Sequence, residues 1–161
     1  MLRLFSAAVV ALATVAFGGT YEIDSSHAAA NFSVRHLGVS NVTGTLGQVT
    51  GKVMLDDADP SKSTIEASID LKAIDTKWAK RDEHLRSPDF FDVEKFPTLM
   101  FKSTKVQKVS KTKLKITGDL TMHGVTKPVT LDAEISPEVA NPFSGNPTRA
   151  VTATGVIIRQ D

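Results

Sequence analysis

The densest potential chemistry in the chain lies in Arg81-Asp82-Glu83-His84-Leu85-Arg86. A histidine among carboxylates can serve acid–base catalysis or hold a metal ion. The other histidines are His27, His36 and His123, and none of the four forms an HxH or HExxH pair. Asp82 and His84 are two apart, which on a helix sends them in different directions. The chain has no cysteine, so it has no thiolate ligand or nucleophile. It also has no GxSxG serine motif. A Ser-His-Asp triad would have to be assembled from distant segments. No catalytic residue, metal site or cofactor is therefore assigned.

Two readings of the cluster stay open. In the structural one, Arg81, Asp82 and Arg86 form ion pairs and hydrogen-bond loop carbonyls, with His84 as a neutral donor–acceptor. In the functional one, the same residues make a polar rim that meets a ligand head group. Phe90, Phe91 and Phe96 follow closely, and they divide in the same way between core and ligand wall.

The stretch around residues 75–96 has no period-two alternation and reads as a helical insertion. Trp78 and Leu85, seven apart, share a helical face with Asp82 beside them. Asp75 or Thr76 is the expected N-cap, and Ser87-Pro88 the expected start of a second helical piece. Pro97 forces Phe96 back to extended backbone.

Around this insertion the pattern is one of strands. Ala30, Phe32, Val34 and His36 share one parity. Ile65, Ala67, Ile69 and Leu71 alternate with polar residues. So do Leu114, Ile116, Leu120 and Met122, and Val129, Leu131, Ala133 and Ile135; Val151 to Arg159 is a last β-rich run. One buried and one wet face is what antiparallel sheets permit. Turn signals at Asp56 to Pro60, His123-Gly124 and Asn141 to Pro147 separate the runs, so an all-β sandwich or barrel is expected. Insertions in barrels often cap an end or gate a cavity.

Residues 1–19 read as a cleaved secretory signal peptide: Arg3, an apolar run from Leu4 to Phe17, then small residues. The remainder, 20–161, is one domain. Without Arg3 it has 18 basic and 18 acidic residues, which argues against a nucleic-acid partner. Six lysines with no acid between Lys102 and Lys115 read as a solvated hairpin that discourages edge pairing. Their alternative use is a passing contact with anionic lipid.

Three separated segments resemble the YceI-like family. They are the opening Tyr21-x-Ile23-Asp24-x-x-His27 with Val34-x-His36-Leu37-Gly38, the central Arg81-Asp82-x-His84-Leu85 with Ser87-x-x-Phe90-Phe91-Asp92, and Gly118-Asp119-Leu120-Thr121-x-His123-Gly124-Val125-Thr126. The resemblance spans Tyr21 to about Ile158. It implies a lipocalin-like antiparallel β-barrel, periplasmic or secreted, whose apolar pocket holds a polyisoprenoid or other long-chain amphiphile without catalysis. It also implies a further strand beyond Asp161, so the C-terminal closing strand is missing from this sequence, which is expected to be a truncated form.

With the resemblance in hand, the expected pocket walls are Phe32, Val34, Trp78, Leu85, Phe90, Phe91, Phe101, Leu120 and Met122. His36, Arg81, Asp82, His84 and His123 are expected at the polar end or the mouth. The expected partner is a long-chain lipid, with a homodimer and transient membrane contact left open. A hydrolase or isomerase acting on a lipid in the same pocket is the rival function, and a stress-related structural protein a third.

Overall fold

The structure is a computed structural model that describes residues 2–14 and 19–159. Its strands are β1 (Leu2–Thr14), β2 (Thr20–His36), β3 (Ser40–Thr45), β4 (Gln48–Met54), β5 (Thr64–Asp70), β6 (Thr98–Lys108), β7 (Lys113–Met122), β8 (Val125–Ile135), β9 (Val139–Ala140) and β10 (Pro147–Arg159). A single short α-helix, α1 (Ala79–Arg86), lies between β5 and β6 among the described residues.

The sheet is antiparallel throughout, and β2 to β10 curl into a half-barrel, where the alternation predicts an all-β sandwich or barrel. β1 pairs with β10 along nearly its whole length and also with β2. The place expected to lack a strand, on the free edge of β10, is thus taken by residues 2–14. These residues belong to the expected leader, of which Met1 and residues 15–18 lie outside the described set.

Parity decides what fills the sheet. On β2, Tyr21, Ile23, Ala30 and Phe32 turn inward and are buried; on β6, Leu99, Phe101 and Val106 do the same; on β7, Ile116 and Leu120. Outward positions carry the expected polar residues, and several are tied across strands, as in Lys102 to Glu66 at 2.7 Å and Lys115 to Asp132 at 2.8 Å. The lysine-rich hairpin is β6–β7, as expected.

Strand direction sorts the rest into two ends. The β2–β3 turn, the β7–β8 turn at His123-Gly124 and the insertion between β5 and β6 all fall at one end. The far end is closed by a polar knot. There the Tyr21 hydroxyl donates to Glu138, Arg149 Nε donates to the Tyr21 oxygen at 3.1 Å, and Arg149 Nη2 bonds Asp57 at 2.5 Å.

The insertion departs from expectation at both ends of its helix. Trp78 occupies the N-cap position and makes no side-chain cap. Lys77 has a φ of 64°, a left-handed conformation that stops the helix from extending back to Asp75 or Thr76. Asp75 instead accepts the Lys77 N–H at 2.7 Å. Ser87 begins no second helix. It ends the first, its hydroxyl donating to the His84 carbonyl at 2.7 Å, and turns carry the chain to Phe96.

Candidate functional site

Beneath the insertion the half-barrel is not filled by side chains. A cavity of about 1310 Å³ occupies this end. Phe32 and Val34 from β2, Val42 from β3, Leu120 and Met122 from β7 and Val129 from β8 make its walls, while Trp78, Leu85, Phe90 and Phe91 come from the insertion. Such a lining favours an apolar guest, since the driving force scales with the apolar area removed from water.

The insertion is pinned over the cavity by the charged cluster. Both the N–H and the hydroxyl of Thr76 donate to Asp82 Oδ1, at 2.8 and 2.5 Å. Arg81 Nε donates to the Thr76 hydroxyl at 2.7 Å and its Nη2 to the Thr76 carbonyl at 2.8 Å. Arg86 reaches the Ile74 carbonyl at 3.3 Å. Asp82 and Arg86 thus pin the insertion by hydrogen bonds, while the ion pairs expected of Arg81, Asp82 and Arg86 are not formed among the described residues. Arg81 serves both readings, because it also lines the cavity and lies 5.4 Å from the Trp78 ring centre.

The lining includes Phe32, Val34, His36, Trp78, Arg81, His84, Leu85, Phe90, Phe91, Leu120, Met122 and His123, all singled out from the sequence. Asp82 and Phe101 fall outside it. The Asp82 carboxylate is consumed by Thr76, and the Phe101 ring lies in the core against Gly118, where an added Cβ would come within 2.5 Å of it.

The sequence reading missed the β8 and β10 side of the cavity. Lys127, Pro128, Val129 and Thr130 line it from β8, and Thr154 to Ile158 from β10. Residues of both parities appear because these two strands are joined only from Asp132 to Ile135 and from Val151 to Thr154. Beyond Thr154 they diverge, and both faces of each border the opening. The alternation of β8 was visible in sequence, but nothing local announced where its pairing with β10 would stop.

The acid–base candidates are sparse. His84 Nε2 lies 3.2 Å from Asp89 Oδ2, and His123 packs edge-on against Phe96 with ring centres 5.0 Å apart. Among the described residues no serine or threonine hydroxyl bonds to the imidazole ring of His36, His84 or His123. A Ser-His-Asp contact does exist elsewhere, at Ser26, His27 and Asp24 on exposed β2. Ser26 and Asp24 both approach the same ring nitrogen, His27 Nδ1, at 3.0 and 2.7 Å. A triad needs them on opposite nitrogens, so this is a local knot. The Ser26 hydroxyl, then His27, holds the Asp24 carboxyl down at about 2. Among the described residues no group of three His, Asp or Glu side chains is placed to hold a metal ion.

The profile of the YceI-like domain matches residues 21–161. This chain belongs to the YceI-like family. A relative from Photorhabdus laumondii, UPF0312 protein plu2095, is 40% identical over 147 residues, covering 90% of this chain and 76% of the relative. Protein YceI of Salmonella arizonae is 42% identical over 132 residues, covering 81% and 69%. The crystal structure of the YceI protein of Campylobacter jejuni superposes with a TM-score of 0.61 at 24% identity, over 77% of this chain and 90% of that one. The last likeness speaks to fold: the curled sheet of this YceI-like chain is shared beyond easily recognised sequence similarity.

Proposed function

We propose that this YceI-like protein is a non-enzymatic carrier of a polyisoprenoid or similar long-chain amphiphile. The observation that carries the reading is the cavity. At about 1310 Å³ it exceeds the roughly 300–1,000 Å³ typical of drug-sized ligands, and its walls are mostly aliphatic and aromatic. Each methylene buried there contributes about 0.8 kcal/mol before the costs of association, so a long tail alone supports useful affinity. The side chains named from sequence as wall and rim are proposed as ligand contacts where they line this space. Membership in the family is consistent with the reading. We also propose that the chain is exported, on the strength of its apolar run from Leu4 to Phe17.

Organic extraction of the purified protein followed by mass spectrometry tests the carrier reading. A co-purifying long-chain lipid is expected. Protein that carries no lipid and also ignores added isoprenoid overturns it. The His84–Asp89 contact is an observation in favour of acid–base chemistry on a lipid. That second reading requires an extracted lipid that is chemically altered during incubation with the protein, and altered less by a His84→Ala variant.

A further inference from the structure

The rim of the cavity is apolar where it meets water. Leu37 and Val39, in the turn between β2 and β3, are 83% and 79% exposed. Trp78 and Val125 line the opening and are each more than half exposed. The turn belongs to the same opening, because His36 just before it and Val42 shortly after it both line the cavity. Single apolar side chains on a surface need no explanation, but a group gathered around one opening marks an interaction site.

The turn holds its apolar tip at a cost. The Val39 N–H donates to the His36 carbonyl at 3.0 Å, and Leu37 and Gly38 between them have φ of 51° and 71°. Two consecutive left-handed residues make the tight hairpin turn for which asparagine–glycine is the usual choice. A leucine there meets both backbone strain and water, and the fold gives it no burial in return. Cations accompany the tip. Arg35 Nη2 donates to the Gly38 carbonyl at 2.8 Å and its Nη1 to Asn41 Oδ1 at 3.3 Å, both uncharged acceptors. Lys80 and Lys127 line the opening. Among the described residues none of these three has a carboxylate in ion-pairing reach. The opposite end also carries lysines and the exposed Phe143, but its recess is about 340 Å³ and is lined largely by charged and polar side chains.

We propose that the open end of the half-barrel docks on the surface of an anionic bilayer, with Leu37 and Val39 entering the interface and Arg35, Lys80 and Lys127 facing its negative charge. The proposal builds on the carrier reading and adds the surface at which cargo changes hands. A long tail that crosses water loses, methylene by methylene, the burial it has in either the bilayer or the cavity. An opening pressed to the membrane lets the tail pass without that exposure. Apolar tips beside cations are the composition that holds a protein at such an interface. The lipid contact expected of the β6–β7 lysines moves, on this reading, to the other end of the sheet.

The test is co-sedimentation of the protein with vesicles of phosphatidylcholine, alone or mixed with phosphatidylglycerol, beside the binding of farnesol added in free solution. The protein should partition onto the mixed vesicles, and less so as salt is raised. Leu37→Ser combined with Val39→Ser should weaken the partition by about tenfold or more. Farnesol binding should stay at the parent level in that variant, since neither side chain lines the cavity. Phe143→Ser, at the opposite end, should change neither measurement. No partition onto either vesicle, a partition untouched by the double variant, or one weakened as much by Phe143→Ser overturns the docking, and farnesol binding that persists leaves the carrier reading standing. Loss of farnesol binding in the double variant assigns the turn to the ligand and also overturns it. So does a dimer that forms without lipid and that the double variant dissolves, because the rim is then covered by a second copy.

Discussion

Thr76 and Asp82 are joined twice, the threonine's N–H and its hydroxyl both donating to one carboxylate oxygen at 2.8 and 2.5 Å. Both residues are buried. The pair ties Thr76, in the segment that follows the strand ending at Asp70, to the middle of α1 six residues on, and Arg81 clamps the same threonine from outside. The helix is short, lacks a side-chain N-cap and has little amphipathic character of its own. Its position over the cavity is set by this knot more than by helix propensity.

Removing the carboxylate should therefore loosen the insertion. Asp82→Ala strands two buried donors and is expected to cost about 1–3 kcal/mol, by the usual penalty for unsatisfied buried groups. Urea denaturation of the variant beside the parent protein measures the loss. A cost near zero would show that the insertion is held by its apolar contacts alone.

Trp78 should report ligand entry. It lines the cavity yet is 58% exposed, so its indole is still largely in water. A bound tail covers it, and its emission should move to shorter wavelength as lipid is added. An unchanged spectrum at saturating lipid would place the tail away from the insertion.

Filling the chamber should block it. Val129 faces the cavity from β8 with room in front of it, so Val129→Trp occupies space the tail needs without overpacking the core. Lipid affinity is expected to fall by about tenfold or more, equivalent to roughly 1.4 kcal/mol, with little change in thermal stability. Calorimetric titration and a melting curve separate the two effects.

Tyr21 supplies a pH signature at the opposite end. Burial of the phenol, then its donation to Glu138, pushes it above its ordinary value of 10.0, with Arg149 opposing in part. An unfolded chain gives up this proton near 10 while the folded one keeps it, so the unfolded state binds fewer protons and stability falls as the pH rises above about 10. Because Tyr21 is the sole tyrosine, phenolate absorbance follows it directly. Its midpoint in the folded protein should lie above that of the urea-unfolded protein, and coincident midpoints would refute the burial effect.

The fold was legible wherever side-chain period alone decides the outcome. The inward rows Phe32–Val34–His36 and Leu120–Met122 were readable from parity, and His123-Gly124 from turn chemistry: the turn needs left-handed backbone at both residues, and they have φ of 52° and 72°. The cluster at Arg81 to Arg86 was legible as a location but not as a division of labour. Whether Asp82 faces a ligand or Thr76 depends on Lys77 adopting φ of 64°, a backbone choice that a lysine does not advertise. Phe101 was misplaced because inward parity does not distinguish the filled part of a barrel from the hollow part. The β8–β10 boundary of the cavity was hidden for a related reason, since pairing between strands distant in sequence is set by the curvature of the whole sheet.

That boundary has a consequence for selectivity. β8 is bonded to β7 along its full length but to β10 over only four residue pairs, Val151–Thr154 against Ile135–Asp132. Past Thr154 the chamber has a seam in its side, bordered by Pro128, which offers no N–H to a neighbouring strand. A closed sleeve rejects any chain longer than itself, whereas a split one lets the surplus hang out. On the carrier reading, such a container is indifferent to the maximum length of its cargo, so one protein of this shape would serve a whole series of homologous tails.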